Sequence, residues 1–259
     1  MNRGGAYNGR VDLLLEATAR AERDHFWFRG FRRFVAPALE QASAGRRGLR
    51  LLDCGCGTGH NIRSLLSPYG TAWGVDLTWT GLAHAQRAGT PRLARASVAA
   101  LPFPAATFDV ATSFEVLYCL PPDAERAAVA EMRRVLKPGG AALVTVAAMP
   151  VLRGNHSVLA NELRRYSPAS LRALVEGAGF RVERLAYTHA VLFPLMLAVR
   201  GSQRLRGLAA EHDALGDLTV PAALLNALLG GLLAAEAAAS KAVPMPFGSS
   251  LLCVARKLE

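Results

Sequence analysis

The segment Leu51-Leu52-Asp53-Cys54-Gly55-Cys56-Gly57-Thr58-Gly59 runs an apolar stretch directly into three glycines at every second position. Such a turn lets the backbone reverse tightly and approach a bound ligand, and it belongs between a buried strand and a helix. The spacing is G-x-G-x-G with an acid two residues before the first glycine, which differs from the G-x-G-x-x-G of dinucleotide sites. Asp76 ends a second apolar run 21 residues after Gly55, where a carboxylate can chelate the ribose hydroxyls of a nucleoside ligand. A plain glycine-rich turn is the alternative, and the paired acids argue against it.

From Leu49 to Val146 short apolar runs alternate with helical stretches, the signature of a parallel α/β sheet. Strands are predicted at Leu49–Leu52, Ala72–Val75, Arg92–Ala96, Phe108–Ser113 and Ala141–Val146, with two more at Arg181–Tyr187 and Ser250–Arg256. Helices are predicted near His60–Leu66, Thr80–Ala88 and Asp123–Leu136, the last stopped by Lys137-Pro138-Gly139-Gly140. Ser167-Pro168 reads as an N-cap followed by a first-turn proline. The stripe Leu224, Leu225, Leu228, Leu229, Leu232 and Leu233 reads as a buried helix or as an apolar wall over a substrate pocket.

With 51% hydrophobic and 19% charged residues, the 259-residue chain can build one sizeable core and is not a disordered polymer. Four cysteines are too few for a disulfide scaffold and read as reduced thiols, hence a cytoplasmic expectation. The N-terminal residues lack a signal-peptide pattern. The uncharged run Leu218–Ala235 is broken by Pro221, Asn226 and Gly230-Gly231, and its helical part reaches about 22 Å against the roughly 30 Å of a bilayer core. Peripheral membrane contact, with Arg200, Arg204 and Arg206 on anionic headgroups, is a second reading of this region. Of the 30 basic residues behind the net charge of +10, 27 are arginines, and they are scattered, which argues against nucleic acid as a partner.

Four motifs in order resemble class I S-adenosylmethionine-dependent methyltransferases of the methyltransferase-domain-11 type. They are Asp53–Gly59, Gly74-Val75-Asp76, Leu101-Pro102-Phe103-Pro104 before Phe108-Asp109-Val110, and Leu136-Lys137-Pro138-Gly139-Gly140. His25-Phe26-Trp27-Phe28-Arg29-Gly30 and Leu163-Arg164-Arg165-Tyr166 resemble a bacterial subgroup in which the N-terminal segment lies over the cofactor. The resemblance implies S-adenosylmethionine as cofactor. It implies that Asp53, Gly55, Cys56 and Gly57 hold the methionine moiety, Asp76 the ribose, and Leu77, Ser97 and Val98 the adenine. It places the backbone of Ser113 at the sulfonium, with Phe26 and Trp27 shielding that cation.

The departures lie on the acceptor side. Ser97 stands where an acid usually meets the adenine amino group. Glu115-Val116-Leu117-Tyr118-Cys119 replaces a common Asp-x-Leu-Glu-His, so a cysteine stands in place of the histidine. His156-Ser157 and Glu162 replace a His-Asp pair and a second histidine of the subgroup. Methyl transfer demands in-line placement above all, and a base only where the acceptor is not already ionised or a free amine. The candidate bases are His156, Tyr118 and His25, with His60 and His189 as further options. Tyr118, His156, Arg164, Arg165 and Tyr166 are candidate acceptor contacts, each also readable as an ordinary structural residue. Cys54 and Cys56 without a second pair make no zinc site, and no metal is expected.

The expectation is one α/β domain over residues 1–259, a Rossmann-like seven-stranded sheet, mostly parallel with an antiparallel last strand. A helical cap at 1–47 and a helical insertion at 190–247 over the acceptor site flank a core of 48–189 and 248–259. The expected function is methyl transfer to an oxygen or nitrogen of a hydrophobic small molecule, a specialised metabolite or lipid-linked compound. The alternatives are an RNA or protein methyltransferase, and a non-catalytic cofactor-binding or membrane-surface subunit. The bacterial biosynthetic setting rests on the subgroup likeness alone. The sequence leaves the oligomeric state open.

Overall fold

The computed structural model describes residues 3–208 and 218–258. Seven strands form one sheet: β1 (Leu49–Cys54), β2 (Gly70–Asp76), β3 (Leu93–Arg95), β4 (Phe108–Phe114), β5 (Leu136–Ala147), β6 (Phe180–Thr188) and β7 (Ser250–Lys257). Their order is β3-β2-β1-β4-β5-β7-β6. All neighbours are parallel except β7, which is antiparallel to both β5 and β6. This is the Rossmann-like sheet expected from the sequence. The central strands β1 and β4 are buried on both faces over most of their length, which is why they carry apolar runs such as Leu51-Leu52.

Helices α1 (Arg3–Ala21), α2 (Phe26–Ser43), α3 (Trp79–Arg87), α4 (Pro122–Val135), α5 (Asn155–Leu159), α6 (Pro168–Gly177), α7 (Phe193–Leu205) and α8 (Ala223–Ala239) surround it. One face is covered by α4 and α6 through Ala128, Val129, Met132, Leu171 and Val175. The other is covered by α2, whose Phe31, Val35, Ala38, Leu39 and Ala42 recur at helical period against Leu51, Val110, Leu143 and Val254. Helix α2, within the 1–47 region expected to form a helical cap, is thus a layer of the fold that covers one face of the sheet.

Two predicted boundaries differ. Lys137-Pro138-Gly139-Gly140 lies inside β5, because α4 passes straight into the strand at Leu136 and the register shifts between Phe108 and Val110. The region predicted as a helix at His60–Leu66 is mostly a single π turn, Ile62–Leu66, followed by Ser67-Pro68-Tyr69. Ser167 caps α6 as predicted, accepting from Ser170 N at 3.1 Å.

Within the insertion, α7 packs on the segment after β5, where Gln203 Oε1 accepts from Asn155 N at 3.1 Å. Helix α8 packs on the outer side of α2, where a Cβ on Gly30 would stand 2.4 Å from Leu233 Cδ1. Phe34, Leu192, Leu233 and Ala237 form a small second core there. Polar side chains pin it at both ends. Asn226 Oδ1 accepts from Phe26 N at 2.8 Å and its Nδ2 donates to Asp24 O at 2.9 Å. Glu236 accepts from Ala190 N at 2.7 Å and Val191 N at 2.9 Å. Residues 209–217 of the insertion lie outside the described residues.

Candidate active site

The chain runs outward from β1 to β2 and β3, then returns to place β4 on the other side of β1. That reversal opens a crevice at the carboxyl ends of β1 and β4, the place where open α/β sheets bind ligands. The glycine turn sits there. Gly55, Gly57 and Gly59 have φ of 85°, 48° and 69°, and a Cβ on Gly55 would lie 2.4 Å from Val116 Cγ2. Both the left-handed backbone and the close approach to the β4 loop demand glycine.

Asp76, at the end of β2, accepts from Gly57 N at 2.8 Å through Oδ2 and from Thr78 N and Oγ1 at 2.9 and 2.7 Å through Oδ1. These bonds fix the carboxylate beside the glycine turn, and each oxygen keeps further lone-pair capacity for ribose hydroxyls. Asp53 is buried at the end of β1, where Thr112 Oγ1 donates to its Oδ1 at 2.7 Å. Burial pushes this carboxyl up to about 7, against the Thr112 hydrogen bond and with the Asp76 charge adding to the rise. A buried carboxyl held this high fits a ligand that brings its own ammonium group. The site thus suits the amino acid and nucleoside ends of S-adenosylmethionine. Leu77 is exposed beside Asp76, Ser97 Oγ accepts from Ala99 N at 3.2 Å in the turn after β3, and Val98 is buried under it. The Cys54 and Cys56 thiols are buried, and burial pushes both upward.

Helix α1 lies over this turn: a Cβ on Gly57 would come 3.3 Å from Leu15 Cδ2. Glu22, just beyond α1, accepts from Thr58 Oγ1 at 2.5 Å and stands 3.8 Å from His60 Nδ1. Burial raises Glu22, and burial with Arg32 and Arg63 lowers His60 to about 4. The aromatic segment behaves differently from the expectation. Phe26 stacks on His25 at 4.5 Å and packs toward α8. Trp27 gives one face to His189 at 4.2 Å. It is α1, not Phe26, that covers the glycine turn.

Several acceptor-side candidates are held by internal partners. His25 Nδ1 caps α2 by accepting from Trp27 N at 3.1 Å, and burial lowers its ring against a hydrogen bond to the Thr219 carbonyl. Both ring nitrogens are thus used, which removes His25 as a base. Tyr118 is buried in the α4-side core, and burial raises its hydroxyl well above the ordinary value. Arg164 Nη1 pairs with Glu125 Oε2 at 2.6 Å, and the Tyr166 hydroxyl donates to Glu125. Arg165 binds Glu162 with both ends of its fork, at 2.8 and 2.9 Å, and donates to Ala148 O. Arg164 and Tyr166 tie the segment after β5 to α4, and Arg165 braces that segment internally, rather than offering a clamp to substrate. His156 lies on α5, the short helix that follows β5 and touches α1.

The residue missed as a base candidate is Glu115. It follows β4 with φ of 61°, two residues after Ser113, whose hydroxyl is buried without a partner among the described residues. Burial pushes Glu115 up to about 7, while Thr145 and Arg165 pull it back and Glu162 adds to the rise. A non-glycine residue in left-handed backbone at a strand end was the available signal, but it is invisible in sequence. His189 also holds left-handed backbone (φ 62°), and burial takes its ring down to about 3.

Comparison with known proteins agrees with the fold and the cofactor class. Residues 52–144 match the methyltransferase domain family Methyltransf_11. A malonyl-[acyl-carrier protein] O-methyltransferase of Enterobacter lignolyticus is 32% identical over 183 residues, covering 68% of this chain and 71% of that protein. A Mycolicibacterium smegmatis protein named for S-adenosylmethionine-dependent methyl transfer is 32% identical over 164 residues, 62% of this chain. The chain spans 61% of the length of that relative and 66% of the Erwinia pyrifoliae enzyme that shares the malonyl name. The Burkholderia thailandensis 1,6-didemethyltoxoflavin-N1-methyltransferase, solved with S-adenosylhomocysteine, superposes with a TM-score of 0.57 at 20% identity over 100% of this chain and 92% of that one. The fold and crevice define a class I methyltransferase architecture. The chain belongs to the S-adenosylmethionine-dependent methyltransferase family.

Proposed function

We propose that the chain transfers a methyl group from S-adenosylmethionine to an oxygen or nitrogen of a hydrophobic small molecule, free or lipid-linked. The observation that carries this reading is Asp53, a buried carboxyl poised near 7 at the mouth of the β1–β4 crevice beside the Gly55–Gly57 turn. The cofactor, when bound, supplies an electrophilic methyl on a sulfonium. Asp53 would hold its ammonium and Asp76 its ribose, which fixes the direction from which an acceptor must arrive. Fixed in-line placement supplies most of the rate in such a displacement. Glu115, held near neutrality on the acceptor side, is suited to take the proton from a hydroxyl or protonated amine. His156 remains a candidate acceptor contact.

A carboxylate acceptor is a second reading, favoured by the malonyl-carrier name of two relatives. Such an acceptor is already ionised and would leave Glu115 without a proton to take. The alternatives of an RNA or protein substrate, or of a non-catalytic subunit, are separated by one experiment. Cofactor binding by calorimetry is combined with release of S-adenosylhomocysteine over hydrophobic phenols, amines, carboxylic acids and bulk RNA. Micromolar binding abolished by Asp76→Ala, with turnover on a small acceptor, is expected. Undiminished binding by Asp76→Ala overturns the nucleoside site, and turnover on RNA alone overturns the acceptor class.

A further inference from the structure

The outward face of α8 has no counterpart in the mechanism. Leu224 is 86% exposed and Leu228 61%, with Leu225 and Leu232 also exposed along the same face. At 100° per residue these leucines, with Ala235 and Ala239, cover the side opposite Asn226, Leu233 and Ala237. The helix has only two polar side chains, and both turn inward to satisfied partners: Asn226 on the 24–26 backbone and Glu236 on the 190–191 backbone. Its solvent side therefore carries only leucine, alanine and glycine over 17 residues. A continuous apolar face of this kind marks an interaction surface.

What lies beside it chooses the occupant. Gly30 is the point where α2 meets Leu233, and Arg29 and Arg33 lie on α2 just before and one turn after it. Both are exposed, and neither makes an ion pair among the described residues. The acids nearest in sequence are engaged elsewhere, Glu22 by Thr58 and Asp24 by Arg23. Arg29 and Arg33, with Arg32, also line an open cleft of about 360 Å³ beside Ser64 and Leu65. From Leu218 to Leu258 the one acid is the inward Glu236, and Lys241 follows the end of α8. A second copy of the chain would set these guanidinium groups against leucines or against each other, with no outward carboxylate on α8 to meet them among the described residues. A surface that is apolar within and anionic at its rim meets both needs. The helix is about 25 Å long, short of a bilayer core, and no described helix is long and apolar enough to cross a membrane. It can lie in the interface but not span it.

We propose that the outward leucine face of α8, together with the exposed Arg29 and Arg33 of the α2 on which it packs, docks on an anionic phospholipid surface. The docking itself does not depend on the methyl-transfer reading, because it is measured without cofactor or acceptor.

The test is flotation with phosphatidylcholine vesicles with and without phosphatidylglycerol, together with sedimentation velocity in their absence. Binding to the anionic vesicles that falls as salt is raised is expected. Leu224→Ser with Leu228→Ser should weaken partition at least about tenfold. Arg29→Gln with Arg33→Gln should weaken it about thirtyfold on anionic vesicles. These side chains are exposed, and unchanged circular dichroism and melting would show that the variants fold. No binding to either vesicle, equal binding by the leucine variant, or a wild-type dimer that the leucine variant dissociates would each overturn the proposal, the last by assigning the face to a second copy.

Discussion

On the proposed function, Asp53 couples cofactor binding to a proton. Its carboxyl stands near 7 because it is buried, with only the Thr112 hydroxyl in compensation. At pH 7 it is therefore about half protonated, and an ammonium placed against it would return its pKa toward the ordinary 3.8. Binding should then release about half a proton per cofactor at pH 7 and nearly a whole one at pH 6. Affinity should fall toward acid by up to about tenfold per pH unit below 7. Calorimetry in phosphate and in Tris measures the release, since the apparent enthalpies differ by the released fraction times the difference in buffer ionisation heats. Asp53→Asn keeps an oxygen for Thr112 to bond but loses the charge. It should weaken the cofactor by about 1.5–3 kcal/mol, roughly ten- to a hundredfold, and abolish the release.

The same carboxyl shapes stability without ligand. Its folded pKa is raised from 3.8 to about 7, so the native state holds the proton more tightly than the unfolded chain. The stabilisation is fully present below 3.8 and is lost as pH rises through 7. About three units at roughly 1.4 kcal/mol each amount to about 4 kcal/mol. Without cofactor, Asp53→Asn should lose this part of the pH dependence and melt higher than wild type at pH 8. An enthalpy independent of buffer, with affinity flat from pH 6 to 8, would refute the assignment of Asp53 to the cofactor's ammonium.

Two further perturbations probe other parts of the molecule. Glu115→Gln should lower turnover on hydroxyl or protonated-amine acceptors at least about tenfold and flatten the rise of kcat near pH 7, while cofactor affinity stays within about twofold; a wild-type pH profile in the variant would remove Glu115 as the base. Gly30→Ala places a methyl 2.4 Å from Leu233 Cδ1 and 2.9 Å from its Cβ. Overpacking of about 1–3 kcal/mol outweighs the helix-propensity gain of up to about 1, and urea unfolding should show a net loss.

The cofactor half of the site was legible because its requirements are local. Gly55 must leave room for Val116 and must hold positive φ, so only glycine serves there, and Asp76 follows at a distance fixed by one strand–helix–strand passage. Strand positions were legible for a related reason: two-sided burial forces runs such as Leu49–Cys54 to be apolar. The Lys137–Gly140 segment marked the end of α4 and hid the start of β5, because proline and glycine stop a helix but here lie in a strand that follows without a loop.

The acceptor half was illegible because its side chains answer to partners far along the chain. Arg164 and Tyr166 look like a substrate clamp until Glu125, some forty residues earlier, is seen to hold both. Arg165 is consumed by Glu162 and by the Ala148 carbonyl in the same way. The leucine stripe of α8 shows the same limit from the other direction. Periodicity identified a helix with apolar residues on more than one side, but packing on α2 consumes only the side of Leu233 and Ala237. The remaining leucines are not explained by the core. The internal pairs of Arg164, Arg165 and Tyr166 turn attention to Glu115, raised by burial to about 7, as the acceptor-side group proposed to take the proton. Helix α8 remains a surface whose composition answers to something outside the chain.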